Sequence, residues 1–221
     1  MPPHQFPDTP SLYPILDLDY CSEKNIDPDI LVSFWSDFRE YIPFIQIRAK
    51  SHNVKNFTLW YRELHEKNPE FPLILNDHWE VAIKESAFGF HIGKEDFQFL
   101  PEEERDIIRS SSQFKGTSSH SLEDLKNLES LVWNYSGIGP IFSTSTKVSE
   151  NKILGPEFLL QAKETTTIPL VPIGGITAEN IQEIFHSGNF LVGSIGTFTD
   201  KKEFLKIISI LQGIKNPDQK P

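Results

Sequence analysis

The sequence has few of the features that mark secreted, membrane or nucleic-acid-binding proteins. Its 221 residues include a single cysteine, Cys21, so an intramolecular disulfide is excluded and no oxidising compartment is implied. No apolar run approaches the length of a bilayer-spanning helix, and the first residues lack the charged and apolar regions of a signal peptide. Basic residues are also scarce, and the net charge is −10. This balance argues against nucleic acid and anionic membranes as partners, and we expect a cytoplasmic protein.

Short apolar runs alternate along the chain with longer amphipathic segments. The apolar runs predict eight strands, at 12–16, 44–48, 73–75, 89–92, 114–117, 131–138, 170–173 and 190–193. The amphipathic segments predict helices near 28–40, 54–67, 77–85, 102–111, 121–129, 155–164, 177–187 and 200–212. Eight strand–helix units in succession predict an α/β protein with a single (β/α)₈ barrel domain, and an open doubly wound sheet is the alternative. Residues 1–10 and 215–221 are predicted to be flexible ends.

In such a barrel the active site lies at the C-terminal ends of the strands, so the residues after each apolar run are the candidates. Period-two alternation after the second run places Gln46, Arg48 and Lys50 on one side. The other candidate segments follow strands three to seven: Asn76-Asp77, Gly93-Lys94-Glu95-Asp96, Gly116-Thr117-Ser118-Ser119-His120, the segment 139–147 and Gly174-Gly175. Together they supply the groups that a magnesium-bound polyphosphate requires.

The residue types assign roles within this set. Mg²⁺ prefers hard oxygen ligands, and Asp77 and Asp96 fit that preference. Gly174-Gly175 lets backbone amides approach a second phosphate closely. Three basic side chains would neutralise the remaining phosphate charge: Arg48, Lys50 and Lys147.

Each segment alone has a structural interpretation. Asn76-Asp77 suits a helix N-cap, the residues 46–50 suit a polar strand face, and Gly174-Gly175 suits a tight turn. His91 and His120 are interpreted as structural hydrogen-bonding residues. The functional interpretation is favoured because all of these segments would then bind one ligand at the same rim of the barrel.

The motifs resemble those of the thiamine phosphate synthase family, which is related to the thiazole tautomerase. The resemblance runs from about residue 12 to residue 198. It rests on these segments, in the family's order: Gln46-Ile47-Arg48-Ala49-Lys50, Asn76-Asp77, His91-Ile92-Gly93-Lys94-Glu95-Asp96, Gly116-Thr117-Ser118-Ser119-His120, Gly139-Pro140-Ile141-Phe142-Ser143-Thr144-Ser145-Thr146-Lys147 and Ile173-Gly174-Gly175-Ile176.

The resemblance implies a transferase that joins hydroxymethylpyrimidine diphosphate to thiazole phosphate, releasing pyrophosphate. It implies Mg²⁺ on Asp77 and Asp96. It implies four catalytic residues, all of which also bind substrate: Arg48, Lys50, Ser118 and Lys147. The further substrate-binding residues that it implies are Gln46, Asn76, Thr144, Thr146 and Gly175, with Gly193 and Ser194 as candidates.

Three departures leave alternatives open. His78 stands where the family usually has Arg, and Lys94 replaces a common Gln. The last strand, Val192-Gly193-Ser194-Ile195-Gly196, differs from the family pattern. The alternatives are a tautomerase-like isomerase, a barrel that binds thiamine precursors without turnover, and an unrelated phosphate-binding barrel. The oligomeric state stays open.

Overall fold

A computed structural model of the chain describes residues 6–144, 152–189 and 191–215. It contains eight strands: β1 (Ser11–Asp17), β2 (Ile45–Arg48), β3 (Leu73–Asn76), β4 (Gly89–His91), β5 (Phe114–Ser119), β6 (Tyr135–Ile138), β7 (Leu170–Pro172) and β8 (Leu191–Ser194). Its helices are α1 (Leu18–Glu23), α2 (Pro28–Ser36), α3 (Val54–Lys67), α4 (Trp79–Lys84), α5 (Lys94–Phe99), α6 (Glu102–Ser110), α7 (Leu122–Lys126), α8 (Phe158–Thr165), α9 (Ile181–His186), α10 (Gly196–Thr199) and α11 (Lys201–Lys215). A 3₁₀ turn covers Arg39–Tyr41.

The strands form one parallel sheet in which sequence neighbours pair, in the order β7-β6-β5-β4-β3-β2-β1-β8. A parallel bridge between Ile173, directly after β7, and Gly193 in β8 connects the first and last strands of this order. The sheet is therefore a barrel surrounded by helices, as the sequence predicted, and the open doubly wound alternative is excluded. Within the described residues no helix is long and apolar enough to cross a membrane.

Two apolar clusters hold the barrel together. The larger lies between the strands and the helices, as expected when both faces of a parallel sheet are covered. The smaller fills the barrel interior with Tyr13, Phe44, Ile74, Tyr135, Val171 and Leu191. Phe6 packs against this inner cluster. Because apolar side chains fill the interior, we expect the barrel to bind a ligand at its mouth.

Each predicted strand has a counterpart in the structure, and the differences concern short elements. Strand β6 begins at Tyr135 rather than at residue 131, and Leu131 is fully exposed. Helices α1, α5 and α10, which follow β1, β4 and β8, were not predicted. They contain six, six and four residues, too few to show a helical period in the sequence.

Candidate active site

A cavity of about 360 Å³ opens at the C-terminal ends of the strands. Its wall combines polar side chains with the backbone of the loops that follow β6, β7 and β8. Seven of the substrate-binding residues implied by the resemblance line it: Gln46, Arg48, Asn76, Ser118, Thr144, Gly175 and Ser194. The C-terminal ends of the strands therefore bring these residues, which are far apart in the sequence, to one cavity.

Asp77 lies at the end of β3 in a conformation that projects it beyond the strand. Its φ is 63°, its backbone N–H donates to the His91 carbonyl at 2.8 Å, and the Asn76 amide donates to its carboxylate at 2.7 Å. Burial raises the pKa of Asp77, and the negative charge of Asp96 raises it further, whereas Lys50 and Arg48 lower it. The two predicted metal ligands and two predicted phosphate-binding cations thus share one electrostatic environment.

A chain of hydrogen bonds forms the floor of the cavity. The Gln46 amide donates to the Tyr13 hydroxyl at 2.8 Å, and this hydroxyl lies 2.7 Å from that of Tyr135. His91 continues the chain, with Nδ1 3.0 Å from the Tyr135 hydroxyl and Nε2 2.9 Å from Ser118 Oγ. Burial raises the pKa of both tyrosines, so the phenols stay neutral.

The opposite wall of the cavity is a tight turn after β7. Gly174 and Gly175 both have positive φ, 99° and 65°. A Cβ atom on Gly175 would lie 2.3 Å from the Ser143 carbonyl oxygen, so this position has no room for a side chain. The Phe142 N–H donates to the Gly174 carbonyl at 3.0 Å and the Asn180 amide donates to that of Gly175 at 3.0 Å. The turn therefore presents backbone to the cavity at close range.

Comparison with known proteins decides which family carries this arrangement. Residues 23–196, well over half of the chain, match the family model for thiamine monophosphate synthase. A thiamine-phosphate synthase of Koribacter versatilis is 33% identical over 81% of this chain and 84% of its own length. The chain belongs to the thiamine monophosphate synthase family. The family's reaction is a transferase step of thiamine biosynthesis, and this chain is a transferase of that kind.

Further relatives agree with this assignment. A thiamine-phosphate synthase of Salinibacter ruber is 28% identical over 79% of this chain and 71% of its own. Among solved structures, a thiamine phosphate pyrophosphorylase from Pyrococcus furiosus has a TM-score of 0.74 at 24% identity, covering 94% of this chain and 98% of that one. The tryptophan synthase A-subunit of Pyrococcus furiosus has a TM-score of 0.64 at 14% identity, covering 92% of this chain and 98% of that one. The two structural likenesses show the barrel fold.

Two positions where the chain departs from the synthase pattern have structural roles. The His78 ring stacks on Phe57 with 3.8 Å between centroids, and burial lowers the pKa of His78. The Lys94 ammonium donates to Asp124 at 2.6 Å. His78 therefore packs the start of α4 against α3, and Lys94 joins α5 to α7.

The rest of the synthase site residues named from the sequence lie as follows. Lys50 and Asp96 are exposed on the rim. Gly193 lies deeper than the cavity wall, where a Cβ would meet Ile173 at 2.7 Å. Thr146 and Lys147 lie outside the described residues.

Sequence reasoning missed the rim after β1. Asp17 ends β1, is buried and accepts a hydrogen bond from the Arg48 guanidinium. Asp19, in α1, accepts from the backbone N–H groups of Lys50 and Ser51 at 2.7 and 3.2 Å. The rule applied after strands two to seven would have found both, because Asp17-Leu18-Asp19 follows the first apolar run directly.

His120 is a further cavity residue that the sequence marked only as structural. Its Nδ1 lies 2.7 Å from the Gly139 carbonyl oxygen, and its backbone N–H donates to Asp124 at 2.7 Å. Because the carbonyl accepts, Nδ1 carries the proton and Nε2 stays available to the cavity.

Proposed function

We propose that this synthase joins hydroxymethylpyrimidine diphosphate to thiazole phosphate, giving thiamine phosphate and pyrophosphate with the help of Mg²⁺. The observation that supports the proposal most is that Arg48, Lys50, Asp77 and Asp96 follow three neighbouring parallel strands, β2, β3 and β4, at the same end of the barrel. Cations beside paired carboxylates suit a magnesium diphosphate. A tautomerase-like isomerase, which has no diphosphate substrate, would have no use for all four.

Asp77 and Asp96 would hold the magnesium ion. Among the described residues there is no group of three or more His, Cys, Asp and Glu side chains suited to a metal. Two carboxylates nevertheless fit Mg²⁺, which commonly takes one or two protein carboxylates and completes its coordination with phosphate oxygens and water. When bound, the ion would neutralise negative charge on the diphosphate.

The leaving diphosphate would be bound by side chains from several rim segments. Arg48 can grip two oxygens at once, and Lys50 adds a second positive charge. The remaining contacts that we propose are Asn76, Ser118 and Lys147. Donors that are held in place before the reaction stabilise charge that develops as the diphosphate departs.

The floor of the cavity would hold the aminopyrimidine. The Gln46 amide nitrogen already donates to Tyr13, so its oxygen remains to accept a hydrogen bond from the amino group of the ring. In the proposed reaction the carbon–oxygen bond to the diphosphate breaks first, and the electron pair leaves with pyrophosphate. The resulting pyrimidine-methyl cation is stabilised by its own amino group.

The thiazole phosphate would bind at the opposite wall. The backbone of Gly175 would receive its phosphate, Thr144 and Thr146 would contact it, and Ser194 completes the wall. The lone pair of the thiazole nitrogen then forms the new carbon–nitrogen bond. Few proton transfers are needed, so catalysis depends on alignment of the two rings and on electrostatic stabilisation.

A reconstituted reaction tests the proposal. Purified protein is incubated with both substrates and Mg²⁺, and thiamine phosphate is assayed with and without a chelator. We expect product that disappears on chelation and returns with added Mg²⁺. Folded protein that binds thiazole phosphate without product would favour the tautomerase-like or the non-catalytic alternative. The cytoplasm is the proposed compartment, where the single thiol of Cys21 stays reduced.

A further inference from the structure

Two carboxylates on the rim after β1 have no part in the proposed reaction. Asp17 and Asp19 lie next to Arg48 and Lys50, the cations assigned to the diphosphate. A negative charge beside an anion-binding cation weakens anion binding by Coulomb repulsion. Their position beside the diphosphate site therefore calls for a compensating role.

Asp17 is directed at the Arg48 side chain. The two residues are Cα partners in the pairing of β1 with β2, so their side chains emerge side by side at the rim. One carboxylate oxygen accepts from Arg48 Nη1, and the other accepts from the Tyr20 N–H at 3.0 Å and caps α1. Among the described residues, Asp17 is the acceptor of the Arg48 guanidinium, whose other N–H groups remain for a ligand.

Asp19 holds the backbone of the same segment. Its Oδ2 accepts from the N–H groups of Lys50 and Ser51, and its Oδ1 accepts from the Ser51 hydroxyl and lies 3.7 Å from His52 Nδ1. Partial burial alone would raise the pKa of Asp19, but these hydrogen bonds lower it. The carboxylate is thus a fixed acceptor for the loop that carries Lys50.

We propose that Asp17 and Asp19 are positioning residues that hold the cation segment (residues 48–51) in the geometry required by the diphosphate. The proposal rests on the proposed function, which assigns Arg48 and Lys50 to that ligand. Arg and Lys side chains lose considerable rotamer freedom when they bind, and a chain held in place beforehand loses less on binding. The proposal requires this gain to exceed the repulsion, and the sign of the change in pyrophosphate affinity on substitution decides which effect is larger.

The substitution Asp17→Asn separates positioning from charge and from capping. Asn caps a helix about as well as Asp, so the cap on α1 is kept. The single oxygen that Asn retains cannot also accept from Arg48, so the buried ion pair is lost, and thermal unfolding measures what this loss costs in stability. Removing the negative charge alone would tighten binding of an anion, whereas loosening Arg48 would weaken it. We expect inorganic pyrophosphate, titrated calorimetrically with Mg²⁺, to bind on the order of tenfold more weakly to the variant. The KM for the pyrimidine diphosphate should rise in parallel, with an unchanged KM for thiazole phosphate.

Asp27→Asn is the matched control. Asp27 caps α2 through the N–H groups of Asp29 and Ile30 and is exposed away from the cavity. This variant should bind pyrophosphate as the unaltered protein does. Equal or tighter pyrophosphate binding by Asp17→Asn, or equal increases in both KM values, would overturn the proposal.

A double-mutant cycle tests whether Asp17 acts through Arg48. In an Arg48→Ala background, Asp17→Asn should cause no further weakening, since there is no guanidinium left to position. Asp19→Asn, compared with and without Lys50→Ala, should behave in the same way. Full additivity in both cycles would refute positioning.

The binding measurement keeps this inference distinct from the proposed function. If the unaltered protein binds magnesium pyrophosphate but forms no thiamine phosphate, the proposed reaction fails and the Asp17 comparison still decides the positioning role. If it does not bind pyrophosphate at all, the positioning role is overturned together with the diphosphate site.

Discussion

Replacement of Gly175 by alanine tests whether the turn after β7 holds the thiazole phosphate. At φ 65° an alanine costs about 1–2 kcal/mol in backbone strain. Its Cβ would also lie 2.3 Å from the Ser143 carbonyl oxygen and 2.7 Å from the Phe142 backbone. Neither obstacle is a flexible side chain, so the loop at 142–144 must shift. We expect a total destabilisation of about 2–4 kcal/mol.

Gly188 provides the control for backbone strain. Its φ is 77°, but an added Cβ would meet the end of the Lys163 side chain, which can move aside. Gly188→Ala should therefore cost about 1–2 kcal/mol, which in a protein of this size lowers Tm by roughly 2–8 °C. The difference between the destabilisation of Gly175→Ala and that of Gly188→Ala therefore measures the cost of the collision with the loop at 142–144.

The functional assay is steady-state formation of thiamine phosphate at varied thiazole phosphate. Displacement of the backbone that receives the phosphate removes charge-assisted hydrogen bonds worth about 1.5–3 kcal/mol, so KM should rise roughly 10- to 150-fold in Gly175→Ala. Gly188→Ala should leave it unchanged. If Gly175→Ala melts like Gly188→Ala and keeps a KM for thiazole phosphate within about twofold, both the crowding argument and the phosphate assignment fail.

Three further predictions concern the rim. Asp77→Asn should weaken Mg²⁺ activation roughly 10- to 100-fold without unfolding the barrel. The reaction rate is measured against metal concentration, and circular dichroism checks the fold. An unchanged dependence on Mg²⁺ would show that Asp77 is not a metal ligand. Asp124→Ala removes the acceptor of both Lys94 and the His120 N–H, and should cost about 1–3 kcal/mol in urea unfolding; a loss below about 0.5 kcal/mol would contradict this bracing role. The pKa of Asp19 is lowered from its ordinary 3.8 in the folded state, so its stabilising effect is present above that pH and disappears as pH falls through the lowered value. Asp19→Asn should therefore unfold more easily than the unaltered protein at neutral pH but not in strong acid. A stability difference between the two proteins that does not depend on pH would refute this prediction.

The strands could be predicted because buried parallel strands read as continuous apolar runs between amphipathic helices. Residues 73–75 and 170–173 show this plainly. Closure of the barrel was predicted from the count of eight strand–helix units, but alternation alone does not prove it; the pairing of β8 with β1 and the bridge from Ile173 to Gly193 do. The start of β6 was placed too early, since the apolar residues before Tyr135 include the exposed Leu131.

The candidate site was predictable where side chains follow a strand directly. Gln46, Arg48 and Ser118 line the cavity as that rule expects. Asp17 was missed because the rule was applied only from the second strand onward, although Asp17 follows the first apolar run directly. The link between Tyr13 and Tyr135 spans 122 residues of sequence, and no local pattern reports such a contact.

The hydrogen-bonded floor of the cavity also restricts how the enzyme could change its substrate. The Tyr135 ring occupies the space where a side chain at Gly116 would begin, since a Cβ there would lie 2.1 Å from the ring carbon Cζ. A larger residue at position 116 would displace the Tyr135 hydroxyl, which is the hydrogen-bonding partner of both Tyr13 and His91. If this floor holds the pyrimidine as proposed, a change of pyrimidine would need coordinated replacements at these linked positions rather than a single one.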